Sequence, residues 1–600
     1  MYRRVAVTVV LMLVLVVAGA RADGPTLPPA TWLLDHVRAL AADDMEGRQA
    51  GTTGADRAAD VIARSFREAG LRPGGDRGSF LQTFTVPTGI KLAMPTSLAL
   101  VGETTRPLTP GADFAPLAVS ENGAVTADVV FVGYGITAPD LGYDDYAGLD
   151  VRDKIVLALT REPRWQDAAS PFRRPEAYHY AERSHKLINA RQHGARALLL
   201  VTHPGITSDA LPALRGVSQP LGIVALAVTR HAADALVRPS GKTIVELAAA
   251  IDGALSPQSR AAGTRVRAEV TLTRERSATA NVIGILPGRD ARLGDQAIVV
   301  GAHYDHLGRG GEGSLAPDQA GAIHHGADDN ASGTAVVLAL ARAFAAAGGA
   351  PRTLVFVAFS GEEMGLLGSA HYVRQPPVAL DKTAVMLNLD MVGRLRDGKA
   401  YVGGVDSGTG LRAIVSEAAR DLGLTLDMRG DPFAPSDHTS FYTAGRPVLF
   451  FFTGAHADYH RPTDTWDKIN ADGLRTVAAL TARIITGVAS APTAPAYVKV
   501  EAAAPGRPRG AYGAYFGVIP EFGEATRPGV AISGVRPASP AEKAGLKAGD
   551  VILRFAGVDV KTLEDLTFAL RSKRAGDRVV VTIVREGQTR EVEATLEERR

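Results

Sequence analysis

The chain has 600 residues, carries 66 Lys+Arg against 64 Asp+Glu for a net charge of +2, and is 46% apolar. That composition excludes a disordered chain, a collagen and a multi-span membrane protein, and no strongly basic stretch calls for a nucleic-acid partner. Cysteine is absent. Disulfide scaffolds, thiol nucleophiles and thiolate metal sites are excluded together, so a metal would have to be held by His, Asp and Glu.

At about 150 residues per domain the length suggests roughly four domains. Arg3 and Arg4 precede an apolar run over 5–20, and Ala20-Arg21-Ala22 is a small-x-small site. This order reads as a secretory signal over residues 1–22, removed by cleavage. It implies a secreted or periplasmic protein with no membrane attachment after cleavage; the alternative is an uncleaved anchor helix. Two helical patterns follow, over 32–41 and 55–69. From about 96 to 271 the texture changes to short β-type runs, such as 125–132, 154–158 and 197–201, with one helix pattern over 185–193. From 279 to about 488 strands alternate with helices, the signature of a largely parallel sheet. Residues 490–513 are rich in Ala, Pro and Gly without periodicity and read as a linker. A last β-rich unit with a helix pattern over 563–574 ends the chain.

Chemistry-bearing residues recur just after apolar runs. His303-Tyr304-Asp305 follows Ala297–Ala302, Ser360-Gly361-Glu362-Glu363 follows a strand over 354–359, and Asp390 follows one over 384–389. Asp328-Asp329 opens a helix, and Tyr459-His460 follows a strand over 448–452. In a parallel sheet the carboxyl ends share one edge, where ligands of open α/β folds bind. Singly, these residues read as helix caps or solvated charge; together they form a set of hard-to-borderline ligands suited to zinc or another divalent ion. Five protein ligands are too many for one catalytic zinc with an open position. They suit two metals that share a carboxylate.

The segments GAHYDHLG, GADDNASG, FSGEEMGLLGS, LNLDMVG and SDHTSF with ADYHRPTDTWDKI, and the earlier LAADDMEGR, resemble the motifs of the co-catalytic zinc exopeptidases. That family includes bacterial leucyl aminopeptidases, aminopeptidase S and glutamate carboxypeptidase II. The resemblance implies a mixed, largely parallel α/β sheet flanked by helices, built from residues 23–95 and 272–489. It implies two Zn2+ per chain: His303, Asp329 and Asp390 on one, Asp329, Glu363 and His460 on the other, with Asp329 bridging. Glu362 would then be the general base, Asp305 would orient His303, and Tyr459 would stabilise the oxyanion. His306, His324, His325, His438 and His456 fall outside the ligand positions and are expected to be structural or at the pocket rim.

Residues 96–271 resemble an inserted, β-rich protease-associated domain, through Val130-Phe131-Val132-Gly133-Tyr134-Gly135 and Leu149-Asp150-Val151-Arg152-Asp153-Lys154. Residues 514–600 resemble a PDZ domain, with Tyr515-Phe516-Gly517-Val518 as the carboxylate-binding loop and a helix beside the groove for a peptide C-terminus. The function implied is a zinc aminopeptidase acting on peptides. A carboxypeptidase on the same scaffold stays open at this point, with Arg394, Arg396 and Arg461 as candidate carboxylate receivers, as does a non-catalytic receptor or scaffold, which predicts missing ligands.

Overall fold

The computed structural model describes residues 25–214, 216, 218–311, 313–319, 321–500, 514–521 and 528–598; the expected leader lies outside them, as do residues 501–513 of the expected linker. Uninterrupted apolar runs form the centre of the main sheet. Ala297–His303, Thr353–Phe359 and Thr383–Leu389 are buried along their whole length. Successive side chains of a strand point to opposite faces. Ile298, Val300 and Ala302 therefore enter one core while Ala297 and Val299 enter another. Strands covered on both faces belong to a layered α/β unit.

The four central strands, in the order Thr353–Phe359, Ala297–His303, Thr383–Leu389 and Val448–Phe452, are mutually parallel. Antiparallel partners flank them: Leu272–Leu286 on one side and Lys399–Gly403 on the other. The sheet is mixed and largely parallel at its centre, as expected. Helix Thr53–Glu68 buries Ala55, Ala58, Ala59, Ile62, Ala63 and Phe66, a stripe at helical spacing. Helix Ala471–Ser490 packs in the same core, and its carboxyl end is closed by the buried Arg352, which donates to the carbonyls of Val488 and Ala491 at 2.7 Å each. A cation there also suits the negative end of the helix dipole.

The long strands Leu81–Leu92 and Leu272–Leu286 pair from Leu81–Val282 to Leu92–Leu272 and form a ribbon leading out of the main sheet. Beyond it stands a second, eight-stranded sheet with its own core. Its strands Gly123–Phe131, Ile155–Leu159, Ala197–Val201 and Val224–Val228 run parallel. The helix pattern over 185–193 is Arg183–Gln192. Two further helices, Arg230–Val237 and Ile244–Ala254, were not anticipated.

After residue 490 the chain stays on the main unit for some distance: Val498 N–H donates to Ser407 O at 2.8 Å and Val500 N–H to Tyr442 Oη at 2.7 Å. The last unit has its own core around Phe516, Ile532, Phe555 and Ile583. Its helix is Leu563–Arg571, shorter than the sequence pattern. This unit docks on both others. Arg191 pairs with the buried Asp565 at 2.5 Å, Arg571 with Glu182 at 2.8 Å, and Arg374 with Glu521 at 3.1 Å. Among the described residues no helix is long and apolar enough to cross a membrane.

Candidate metal centre

The parallel strands deliver their terminal residues to one edge. His303 ends its strand, Glu362 and Glu363 follow Phe359, and Asp390 follows Leu389. Asp329 comes from the turn before helix Gly333–Ala346, and His460 from the loop after Val448–Phe452. The structure brings all of them together.

Asp329 stands at the middle and divides its oxygens. Oδ1 lies 3.3 Å from His303 Nε2, and Oδ2 lies 3.3 Å from His460 Nε2. On the first side Asp390 Oδ1 is 3.4 Å from His303 Nε2. On the second, Glu363 Oε2 is 3.2 Å from His460 Nε2. Glu362 Oε2 sits 4.0 Å from His303 Nε2. The donor atoms of His303, Asp329 and Asp390 all lie within 4.8 Å of one another, and so do those of His306, Asp329 and Glu363.

The electrostatics show a site short of positive charge. Burial alone would lower His303, yet Glu362, Asp390 and Asp329 outweigh it and hold it well above its ordinary value. His460 is likewise pushed up to about 10 against its burial, by Asp329 and Glu363. Burial drives Glu362 well above the carboxylate range, helped by Glu363 and Asp390, whereas the histidines facing Asp329 hold it well below that range despite its burial. Asp390 Oδ1 is buried without a hydrogen-bond partner. Buried carboxylates facing histidines, with a carboxylate oxygen left unpartnered, fit divalent cations.

Asp305 behaves differently from the expectation. Its carboxylate is 3.8 Å from His303 Nδ1, beyond a direct hydrogen bond, and its own carbonyl meets that nitrogen at 3.1 Å instead. Its Oδ1 accepts the main-chain N–H of Glu362 at 3.1 Å, so it fixes the Glu362 backbone. Burial pushes Asp305 up to about 6. Tyr459 stacks on His460 with ring centroids 3.8 Å apart.

Several contributors went unrecognised in the sequence. His306, expected outside the site, places Nδ1 2.7 Å from Glu363 Oε1. Ser436 Oγ donates to Asp390 Oδ2 at 2.7 Å and accepts from Asn388. Asp437 is buried beside the cluster and pushed up to about 7 by that burial. Asp464 Oδ2 accepts the N–H groups of Asp328 and Asp329 at 2.9 and 3.1 Å, which sets the turn that presents Asp329. That turn also needs Gly326: its φ is +56°, and a Cβ there would sit 2.6 Å from the His306 ring. The buried Arg48 braces the same loops, donating to the carbonyls of Tyr304 at 2.7 Å and Gly326 at 2.9 Å. His324 hydrogen-bonds Ser314, His325 bonds Asp43, His456 bonds Asp328 and His438 stacks on Phe450. Arg394 is engaged by Asp464 at 2.9 Å and Asp458 at 3.4 Å, and Arg396 donates to Ala455 O.

The cluster opens into a cavity of about 400 Å3 whose far wall is apolar, with Met391, Phe450, Phe452 and Ala455. Among the described residues no Arg or Lys lines it.

A strand-end cluster of histidines and carboxylates on a mixed α/β sheet is the kind of donor set that can hold divalent metal. Residues 281–485 match the family model for Peptidase family M28, and residues 515–596 match that for the PDZ domain. Aminopeptidase YwaD of Bacillus subtilis is 26% identical over 358 residues, covering 57% of this chain and 64% of that protein. A probable leucine aminopeptidase of Arthroderma otae is 30% identical over 201 residues, 32% of this chain and 52% of that protein. The match thus spans less than two thirds of each of these relatives. The solved structure of BSAP, a zinc aminopeptidase from Bacillus subtilis, aligns over 77% of this chain and 95% of its own, with 21% identity and a TM-score of 0.45.

Proposed function

We propose that the protein is a zinc-dependent aminopeptidase that removes N-terminal residues from peptides, exported as a secreted or periplasmic enzyme after loss of residues 1–22. The observation that carries the choice is the lining of the 400 Å3 cavity: carboxylates and apolar side chains together and, among the described residues, no Arg or Lys. An apolar first side chain is met by Met391, Phe450 and Phe452, and no Lys or Arg side chain among the described lining residues opposes a substrate ammonium. A carboxypeptidase would need a free guanidinium for the terminal carboxylate, and Arg394 is already bound to Asp464. The relatives' names, an aminopeptidase and a probable leucine aminopeptidase, agree with this direction.

Two zinc ions would be held by His303, Asp329 and Asp390, and by Asp329, Glu363 and His460, and when bound they polarise the scissile carbonyl and acidify a water. Glu362 accepts the proton of that water and returns it to the leaving amine; a carboxyl raised by burial is suited to both halves of the transfer. Tyr459, at the rim, faces the oxygen on which charge develops. Asp305 holds Glu362 in place through its backbone. The inserted unit over 96–271 and the PDZ unit over 514–600 supply no member of this set.

Paired peptides test the reading, one blocked at its amine and the other at its carboxylate. Cleavage only where the amine is free is the expected outcome; cleavage of the amine-blocked peptide alone would overturn it in favour of a carboxypeptidase.

A further inference from the structure

A second and larger cavity, about 1130 Å3, meets the metal centre at Glu363, which lines both spaces. Its walls come from every unit of the protein. Gly89 and Arg274 belong to the ribbon, Gln219 and Gly222 to the inserted unit, and Lys561 and Thr562 to the PDZ unit. The placement of the last is held by the buried Arg191–Asp565 pair, and Asp565 also accepts the main-chain N–H of Lys561 at 2.8 Å.

We propose that this chamber holds the part of an oligopeptide downstream of the scissile bond, and that Lys561 receives its C-terminal carboxylate. The inference rests on the aminopeptidase reading and names its substrate class: free oligopeptides of limited length. The smaller cavity carries the apolar side chains assigned to the first residue. The leaving portion must extend elsewhere from the same carboxylates, and the chamber begins at Glu363. Its volume exceeds the roughly 300–1,000 Å3 usual for a small-molecule site, so it suits a chain of several residues.

Charge selects the end of that chain. Arg309 on the wall faces Glu46 at 3.4 Å, and Arg274 donates to the carbonyls of Ala118 and Ser120. Lys561 has no carboxylate within ion-pair distance among the described residues, and its ammonium lies against Gly222, where an added Cβ would approach Nζ to 3.2 Å. Asp565 accepts the N–H groups of Lys561 and Thr562, and Thr562 Oγ1 accepts that of Asp565, so the side-chain charge offered at this end of the chamber is that of Lys561.

The test uses the full, metal-loaded chain with leucyl-p-nitroanilide and a leucyl-alanine series from dipeptide to hexapeptide, each as free acid and as C-terminal amide. At the length that reaches Lys561, the free acid should be favoured over the amide by about fivefold in KM, the worth of one partly screened ion pair. Lys561→Ala should erase that preference and leave kcat and nitroanilide turnover unchanged. Gln219→Trp should slow the longest peptides and spare the nitroanilide. An acid-to-amide ratio near one at every length, or a ratio unaltered in Lys561→Ala, overturns the inference while nitroanilide cleavage keeps the aminopeptidase reading. If neither the nitroanilide nor any free-amine peptide is cleaved, both fall.

Discussion

The imidazole of His306 and the carboxylate of Glu363 form a hydrogen bond of 2.7 Å through Nδ1 and Oε1, while Oε2 of the same carboxylate turns to His460 at 3.2 Å. One oxygen is thus fixed by a neighbour and the other is directed at the cluster. Partners that orient metal ligands typically account for 10–100-fold in metal affinity. His306→Ala should therefore weaken metal binding by about that factor, and His306→Asn, which keeps a donor near the Nδ1 position, should recover part of it. Calorimetric titration of the metal-free protein measures both; equal affinity in wild type and His306→Ala would show that Glu363 orients itself.

Glu362 and Glu363 are adjacent and chemically identical, yet the structure gives them different surroundings. Glu363 is held below its ordinary range by His306 and His460 despite its burial, and Glu362 is driven above it. Glu363→Ala should lower metal content, whereas Glu362→Gln should keep metal and fold and lose turnover by about 10²–10⁴-fold. Metal analysis with steady-state kinetics on both variants decides the matter. Normal turnover of Glu362→Gln would move the roles by one residue.

Metal loading and pH are coupled through His460. In the metal-free protein its folded value is about 10, above the roughly 6.5 of an unfolded chain. Its contribution to stability is therefore fully present below about pH 6.5 and is lost as pH rises toward 10. Thermal unfolding of chelator-treated protein should show Tm falling across that window, and metal should restore it. Because a ligand must be deprotonated to bind metal, loading at pH 7 should also release protons, visible as a buffer-dependent heat. A Tm flat from pH 6 to 10 without metal would contradict the assignment.

Asp464 contributes no ligand, but it accepts two amides of the Asp328–Asp329 turn and pairs with Arg394, itself largely buried. Asp464→Ala would leave Arg394 with only the longer Asp458 contact and two buried amides without an acceptor, each such loss typically costing about 1–3 kcal/mol. Urea denaturation should show a loss of that order together with reduced metal content. A variant as stable as wild type would mean that solvent reaches Arg394.

The strand-end residues were legible because each follows an apolar run with nothing polar inside it, and a parallel sheet gathers such ends at one edge. His303, Asp329, Glu362, Glu363, Asp390 and His460 meet for that reason. Ser436, Asp437, Asp464 and His306 lie inside the segments SDHTSF, ADYHRPTDTWDKI and GAHYDHLG, but they act across loops whose course the apolar pattern does not fix, so no role at the site was legible for them. The two helices missed in the inserted unit are short and interrupted by small residues. Ile244–Ala254 did carry a readable start: Thr243 and Glu246 form a capping box.

The ribbon that joins the two large units sets an order of assembly. Leu81 and Val282 are neighbours in space but stand on either side of the whole inserted sheet in the chain. The inserted unit has a separate core and can collapse as its own segment emerges. The main sheet is completed only across that gap, because Leu81–Leu92, made before the inserted unit, has to meet Leu272–Leu286, made after it. Such distant pairing is the slow step of folding. A lesion that slows the inserted unit thus delays the gathering of the ligands as surely as one beside the metal, although that unit donates no ligand.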